Sequence, residues 1–264
     1  MNKFLTGTIA AIAVAVAVPA LAADLAPRYS KAPPPAPIAV YNWTGCYIGG
    51  NVGGAWSRVR QERVGFITGV TFAPQDFGSA TSDGDFVGGG QIGCDYQWPG
   101  SGFVVGVQGM VDFGDIRSGH VVTAFPTFTS ATRIKDTITA TGRIGYLFAP
   151  QVLGYVKGGG AWARVDHNFF QPTGALSENA LDLDRTGWTI GAGIEWMIAP
   201  GWSVFGEFNY MDFGRRDIAF TSAVPPALNA GSPGDIIRTR LEVSQALVGV
   251  NYKFNWGGPV VAKY

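Results

Sequence analysis

Charge is scarce in this chain. Only 14% of its 264 residues are Asp, Glu, Lys or Arg, and 19 acidic side chains cancel 19 basic ones. A balanced chain gives no support to a polyanionic partner, so nucleic acid is not expected. Histidine is scarcer still, with His120 and His167 alone. Two histidines in separate segments make a poor metal site, and catalysis needs a positioned base or nucleophile. His167 with a serine such as Ser177 is the one hydrolase-like pairing on offer, and no enzyme, metal or cofactor is expected. Beyond the N-terminal segment, no apolar run is long enough to cross a membrane as a helix.

That N-terminal segment, "MNKFLTGTIAAIAVAVAVPALAAD", has Lys3, an apolar run from Ile9 to Val18, Pro19, and the small triplet Ala20-Leu21-Ala22. The layout predicts an export signal over 1–22. No cysteine follows the expected cleavage site, which argues against a lipoprotein anchor. Residues 23–41 are proline-rich and are read as an extended periplasmic linker.

What the chain has in abundance is glycine, 38 residues, and aromatic rings, 13% of the total. From residue 43 the apolar residues recur with period two, in eight segments: 43–57, 86–98, 102–114, 133–148, 151–165, 187–198, 202–214 and 240–254. In the sixth, Trp188, Ile190, Ala192, Ile194, Trp196 and Ile198 oppose Thr189, Gly191, Gly193, Glu195 and Met197. Strands of this length are unusual in a soluble sheet, where about 5–6 residues is common, whereas a tilted membrane strand needs about 9–11. Short Pro- and Gly-containing turns at 99–101, 149–150 and 199–201 alternate with longer connections near 58–85, 115–132, 166–186 and 215–239. Short turns at one end and long loops at the other mark an outer-membrane barrel, short end to the periplasm. "GGGQIG" at 88–93 formally matches a dinucleotide fingerprint, but it lies inside a strand with no helix after it.

The fold expected is therefore an all-β, eight-stranded antiparallel up-and-down transmembrane barrel over 42–254, with four long extracellular loops. Its apolar faces should meet lipid. Its polar faces carry Asp95, Asp112, Arg143, Lys157, Glu195, Glu207 and Lys253, one on each strand from the second to the eighth. These are expected to form two ionic layers: Arg143, Lys157 and Glu207 near mid-membrane, with Asp95, Glu195 and Lys253 lower. Opposite charges should pair, because an unpaired buried charge costs several kcal/mol. Eight strands enclose a space just wide enough for side chains to fill it, so a polar core is expected rather than a wide pore. Aromatics sort to the two rims: Trp98, Tyr146, Phe148, Trp196, Trp202, Tyr252 and Phe254 at one, Trp56, Phe113, Trp162, Trp188 and Tyr210 at the other.

The stretches "YNWTGCYIGGNVGGAWS" (41–57) and "VGVNYKF" (248–254) resemble the small outer-membrane immunogenic proteins of alphaproteobacteria, porin-family barrels related to the outer-membrane protein A type. The resemblance implies an envelope barrel assembled from the periplasm, with a final strand whose terminal aromatics are read by the barrel assembly machinery. Tyr252 and Phe254 match that signal. Ten residues, "NWGGPVVAKY", follow them; this departure is read as a periplasmic tail, with Tyr264 a second aromatic terminus.

Three further sites carry open readings. Cys46 and Cys94 fall on lipid-facing positions of neighbouring strands, either as a disulfide or as two small free thiols. His167, Phe169 and Phe170 on an outer loop could contact haem or a host protein, or simply dip into the interface. Arg215 and Arg216, just above the outer rim, suit lipopolysaccharide phosphates or a solvated rim. The function expected is a monomeric structural and surface barrel contributing to envelope integrity, with outer-membrane lipid and lipopolysaccharide as partners and a host or environmental surface ligand as a further candidate. A narrow diffusion porin and a surface receptor are the alternatives.

Overall fold

The computed structural model describes residues 41–66, 69, 71–222 and 233–254. The expected export signal, nearly all of the linker and the tail lie outside the described residues. The strands are β1 (Gly45–Phe66), β2 (Thr71–Thr81), β3 (Asp85–Gln97), β4 (Phe103–Val121), β5 (Thr129–Ala149), β6 (Val152–Phe170), β7 (Leu176–Ala199), β8 (Trp202–Ser222) and β9 (Pro233–Phe254). All pair antiparallel with their neighbours, and β9 closes on β1.

Nine strands make eight staves. The lower part of β1, Gly45 to Ala55, pairs with β3, and its upper part, Arg58 to Gly65, pairs with β2. β2 and β3 are thus one stave interrupted at residues 82–84. The break is tied down where the Ser82 N–H donates to Ser57 O at 2.9 Å and the Ser57 N–H donates to Ser82 Oγ at 2.8 Å. Gly84 takes φ +106° there, a conformation in which a Cβ would also press on the Trp56 indole.

The long connections expected between staves are mostly strand. β9 runs for 22 residues and β7 for 24, about twice what a bilayer requires. The reason lies in the polarity of the alternation. Along β9, Val248, Val250, Tyr252 and Phe254 point outward and are exposed, while Leu247, Asn251 and Lys253 point inward and are buried. Above Ser244 the phase continues unbroken but the chemistry swaps. Val243, Leu241 and Ile237 fill the inside, and Glu242, Arg240 and Arg238 face out. β1 does the same, with Val59 and Gln61 inside and Arg58, Arg60 and Glu62 on the outer side. The barrel therefore continues above the bilayer as a water-exposed sheet with its own apolar filling. Register shifts at Phe113/Ile116, Ile134/Asp136, Val165/His167 and Asp212/Arg215 gather at this change of surroundings, as bulges at a barrel rim do.

Side chains occupy the lumen at successive levels, and not only polar ones. Trp43, Val104, Leu153, Tyr155 and Met197 form an apolar floor at the periplasmic end. A second cluster, including Val59, Ile134, Val165, Met211 and Leu241, lies above the ionic groups, and a third, with Phe77, Phe169, Phe220 and Ile237, tops it. A largely polar and ionic lumen is thus too simple. The outer third is apolar because water, not lipid, surrounds it, and the hydrophobic effect there points inward.

Candidate functional site: the filled lumen and the outer rim

Every stave places alternate residues inward, so charges that are distant in sequence converge once the ring closes. Asp95 on β3, Arg143 on β5, Glu195 on β7 and Lys253 on β9 meet in one cluster, each side chain at most 2% exposed. Arg143 binds Asp95 with both prongs of its guanidinium, Nε lying 2.7 Å from Oδ1, and its Nη1 donates to Glu195 Oε2 at 3.1 Å. Lys253 Nζ donates to Asp95 Oδ2 at 2.7 Å and to the Trp43 carbonyl at 2.9 Å. The guanidinium carbon lies 4.9 Å from the ring centroid of Tyr47 and 5.0 Å from that of Tyr155, a cation between two π faces.

Above it, Lys157 Nζ donates to Glu207 Oε1 at 2.7 Å, and the Tyr155 hydroxyl donates to Glu207 Oε2 at 2.8 Å. Amides tie the two levels together. Lys157 donates to Gln108 at 3.1 Å, Gln108 to Gln91 at 2.6 Å, Gln91 to Asn251 at 2.6 Å, and Asn251 to Glu195 at 3.1 Å. The result is one hydrogen-bonded path from Glu207 to Trp43 that touches most staves.

Two placements differ from the expected layers. Arg143 belongs with the lower cluster rather than with Lys157 and Glu207, because its long side chain reaches down to a bidentate carboxylate that a lysine-length reach would not satisfy. Asp112 is buried in the lumen but has no cation within ion-pair distance among the described residues. Residues the sequence reading passed over are Trp43, Tyr47, Gln91, Gln108, Tyr155 and Asn251. The amides had a signal, since they occupy the polar phase of their strands; Trp43, two residues before the first paired residue Gly45, is an apolar ring on that phase and had none.

Cys46 and Cys94 are directly opposed on β1 and β3 and are joined by a disulfide, with Cα atoms 3.9 Å apart. Tyr252 and Phe254 end β9 on its lipid face, their rings 5.1 Å apart, with the Trp202 ring tilted against Tyr252 at 5.0 Å. His167 is not on a loop, which corrects the outer-contact reading. β6 runs to Phe170, and its alternation turns His167 and Phe169 into the lumen, leaving Phe170 half-buried on the other face. His167 Nδ1 lies 2.9 Å from Thr132 Oγ1. Burial and then the neighbouring Arg185 charge push its pKa from 6.5 down to about 3.

Arg215 lies on the outer face of β8, whereas Arg216 is exposed but stands opposite the buried Thr239 in register, and its Nη1 donates to the Asp184 carbonyl at 2.6 Å. They do not stand alone. Arg215 is the register partner of Arg240, and Arg240 that of Arg60 on β1, so three arginines sit side by side on adjacent staves. Arg58 stands two positions above Trp56 on the same face. Arg58, Arg60 and Arg240 line a groove of about 410 Å³ together with Ser79, Thr81 and Glu242.

A family model described as an outer membrane protein beta-barrel domain matches residues 8–254. The chain belongs to this family. It is 29% identical over 251 residues to the 31 kDa outer-membrane immunogenic protein of Brucella melitensis, covering 93% of this chain and 98% of that one. It is 25% identical over 230 residues to the 25 kDa outer-membrane immunogenic protein of Brucella abortus, covering 84% and 85%. Among solved structures, the outer membrane protein OprG from Pseudomonas aeruginosa superposes with a TM-score of 0.49 at 14% identity, covering 82% of this chain and 99% of that one. This protein is accordingly an outer-membrane β-barrel located in the outer membrane.

Proposed function

We propose that this barrel is a closed, non-enzymatic, monomeric structural protein of the envelope, whose outer half meets lipopolysaccharide and the surroundings of the cell. The observation that carries the reading is the filling of the lumen. An apolar floor, a continuous ionic and amide network and two apolar clusters follow one another across the inside. Water or a small solute has to displace paired charges and packed side chains to pass, so the narrow-porin alternative is disfavoured. Planar-bilayer recording of the purified full-length protein tests it. The expected trace stays at baseline; regular stepwise openings would establish a diffusion pore instead.

The arginine row on β8, β9 and β1 supports lipopolysaccharide as the membrane partner. Like charges directly opposed across strands are destabilising; Asp212 and Glu242 pair with the central Arg240, and phosphates at the level of the aromatic rim would add to that compensation at Arg60 and Arg215. A haem contact through His167 is not part of this proposal, since that ring has 0% exposure. Any host or environmental ligand would engage the outer turns. Export through 1–22, a periplasmic linker over 23–41, a periplasmic tail over 255–264 and recognition of Phe254 by the assembly machinery complete the proposed life of the chain.

A further inference from the structure

Among the described residues, one buried cation in the outer lumen has no carboxylate within ion-pair distance. Arg185 on β7 points inward and is 1% exposed. Its Nη2 donates to the carbonyls of Thr239 at 3.1 Å, Gly214 at 3.1 Å and Phe213 at 3.3 Å. No carboxylate lies within ion-pair distance of it among the described residues, and its Nη1 has no hydrogen-bond partner. Phe213, whose carbonyl it meets, belongs to the middle apolar cluster, and Phe220, 6.2 Å from the His167 ring, belongs to the upper one.

Burial and the nearby Arg216 lower the Arg185 pKa only to about 10, so the guanidinium keeps its charge at neutral pH. An uncompensated buried charge costs several kcal/mol. Arg143, equally buried, is met by two carboxylates; Arg185 has carbonyl oxygens alone. Two more donors in this part of the lumen are also without partners. Gln61 accepts from Ser130 at 2.7 Å through Oε1, and its Nε2 is unpartnered. His167 accepts from Thr132 at Nδ1 in the tautomer that leaves Nε2 protonated, and Nε2 is unpartnered. Gln61 is the register partner of Thr239, whose carbonyl Arg185 binds, and the Arg185 charge acts on His167, so the three groups share one level of the outer lumen. All three orphaned nitrogens suit an acceptor-only guest better than water, which brings two protons of its own.

We propose that the outer lumen binds one small monovalent anion, of halide or nitrate size, with the Arg185 guanidinium as its charge partner and Gln61 Nε2 and His167 Nε2 as further donors. Arg216 is exposed and its guanidinium is engaged by the Asp184 carbonyl, so among the described residues Arg185 is the charge offered to the guest, and a monovalent anion matches it. The site is independent of whether the barrel conducts.

Bromide is the probe. The full-length protein is refolded in detergent and titrated with urea at constant ionic strength, bromide replacing gluconate, and crystals grown in bromide are measured at the bromine absorption edge. A single site that exists in the folded state alone lowers the unfolding constant tenfold for each tenfold rise in bromide above saturation. That dependence is expected in the wild type, together with an anomalous peak beside Arg185, and is expected to vanish in Arg185→Met. Should Arg185→Met not fold, the wild-type peak decides. No peak beside Arg185, or a bromide effect undiminished in the variant, would overturn the proposal.

Discussion

Arg143→Met is the perturbation that probes the lumen network most severely. The lower cluster holds two cations, Arg143 and Lys253, against two carboxylates, Asp95 and Glu195. Removing Arg143 leaves Lys253 with Asp95, and Glu195 with only neutral donors, the Ser203 hydroxyl and the Asn251 amide. Breaking a buried pair on one side costs about 3–5 kcal/mol, because a bare charge remains. Glu195→Gln alone has the mirror effect, leaving one cation in excess, and a similar cost. Combined, the two changes leave one cation facing one carboxylate. The double variant should therefore be more stable than the sum of its parts by about 2–3 kcal/mol, near the upper end of measured pair couplings. Reversible urea unfolding in detergent, followed by tryptophan fluorescence, gives all four corners of the cycle. If the two losses add within about 0.5 kcal/mol, Arg143 and Glu195 are not partners and the network as described is wrong.

Two other outcomes follow from the part of the barrel above the bilayer. His167 has a folded pKa of about 3, below the ordinary value near 6.5, so as pH falls from 8 to 5 the unfolded chain takes up a proton that the folded chain refuses. Stability should fall by about 2 kcal/mol over that interval, and His167→Gln, titrated in gluconate, should remove that share of the slope; an unchanged slope would show that another group is responsible. Replacing Arg58, Arg60 and Arg215 by Gln should lower the lipopolysaccharide that co-purifies with the barrel several-fold while leaving its heat-modifiable gel mobility unchanged. Equal retention would remove the arginine row from membrane contact.

Most of the membrane-spanning half is legible in the sequence because lipid makes the apolar phase conspicuous. Ile190, Ile194 and Trp196 on β7, opposed by Glu195, leave little choice of face. The outer half is harder to read for the same physical reason. In "SRVRQERV" the alternation persists, but the solvent has changed, so Val59 and Gln61 turn inward where the lipid-facing rule looks for them outside. A reader who lets the polarity flip at Trp56 finds β1 continuing to Phe66. The ionic residues are identifiable one strand at a time, whereas their partners are not. Which carboxylate Arg143 meets depends on strand tilt and stagger around the closed ring, and neither is written in any local stretch. His167 illustrates the cost of a misplaced boundary: read as loop it looks like a ligand contact, and read as β6 it is lumen filling.

The account rests on that change of surroundings along unbroken strands, and β9 lets it be measured residue by residue. Single spin labels introduced by cysteine substitution at Val250, Val248, Leu247, Leu241, Arg240 and Arg238, with the Cys46–Cys94 disulfide intact, are compared for collision with oxygen and with a water-soluble nickel chelate in lipid bilayers. Labels at Val248 and Val250 should meet oxygen and not nickel, those at Arg240 and Arg238 nickel, and those at Leu247 and Leu241 neither. Nickel reaching Leu247 and Leu241, or oxygen-rich lipid contact at Arg240, would contradict it.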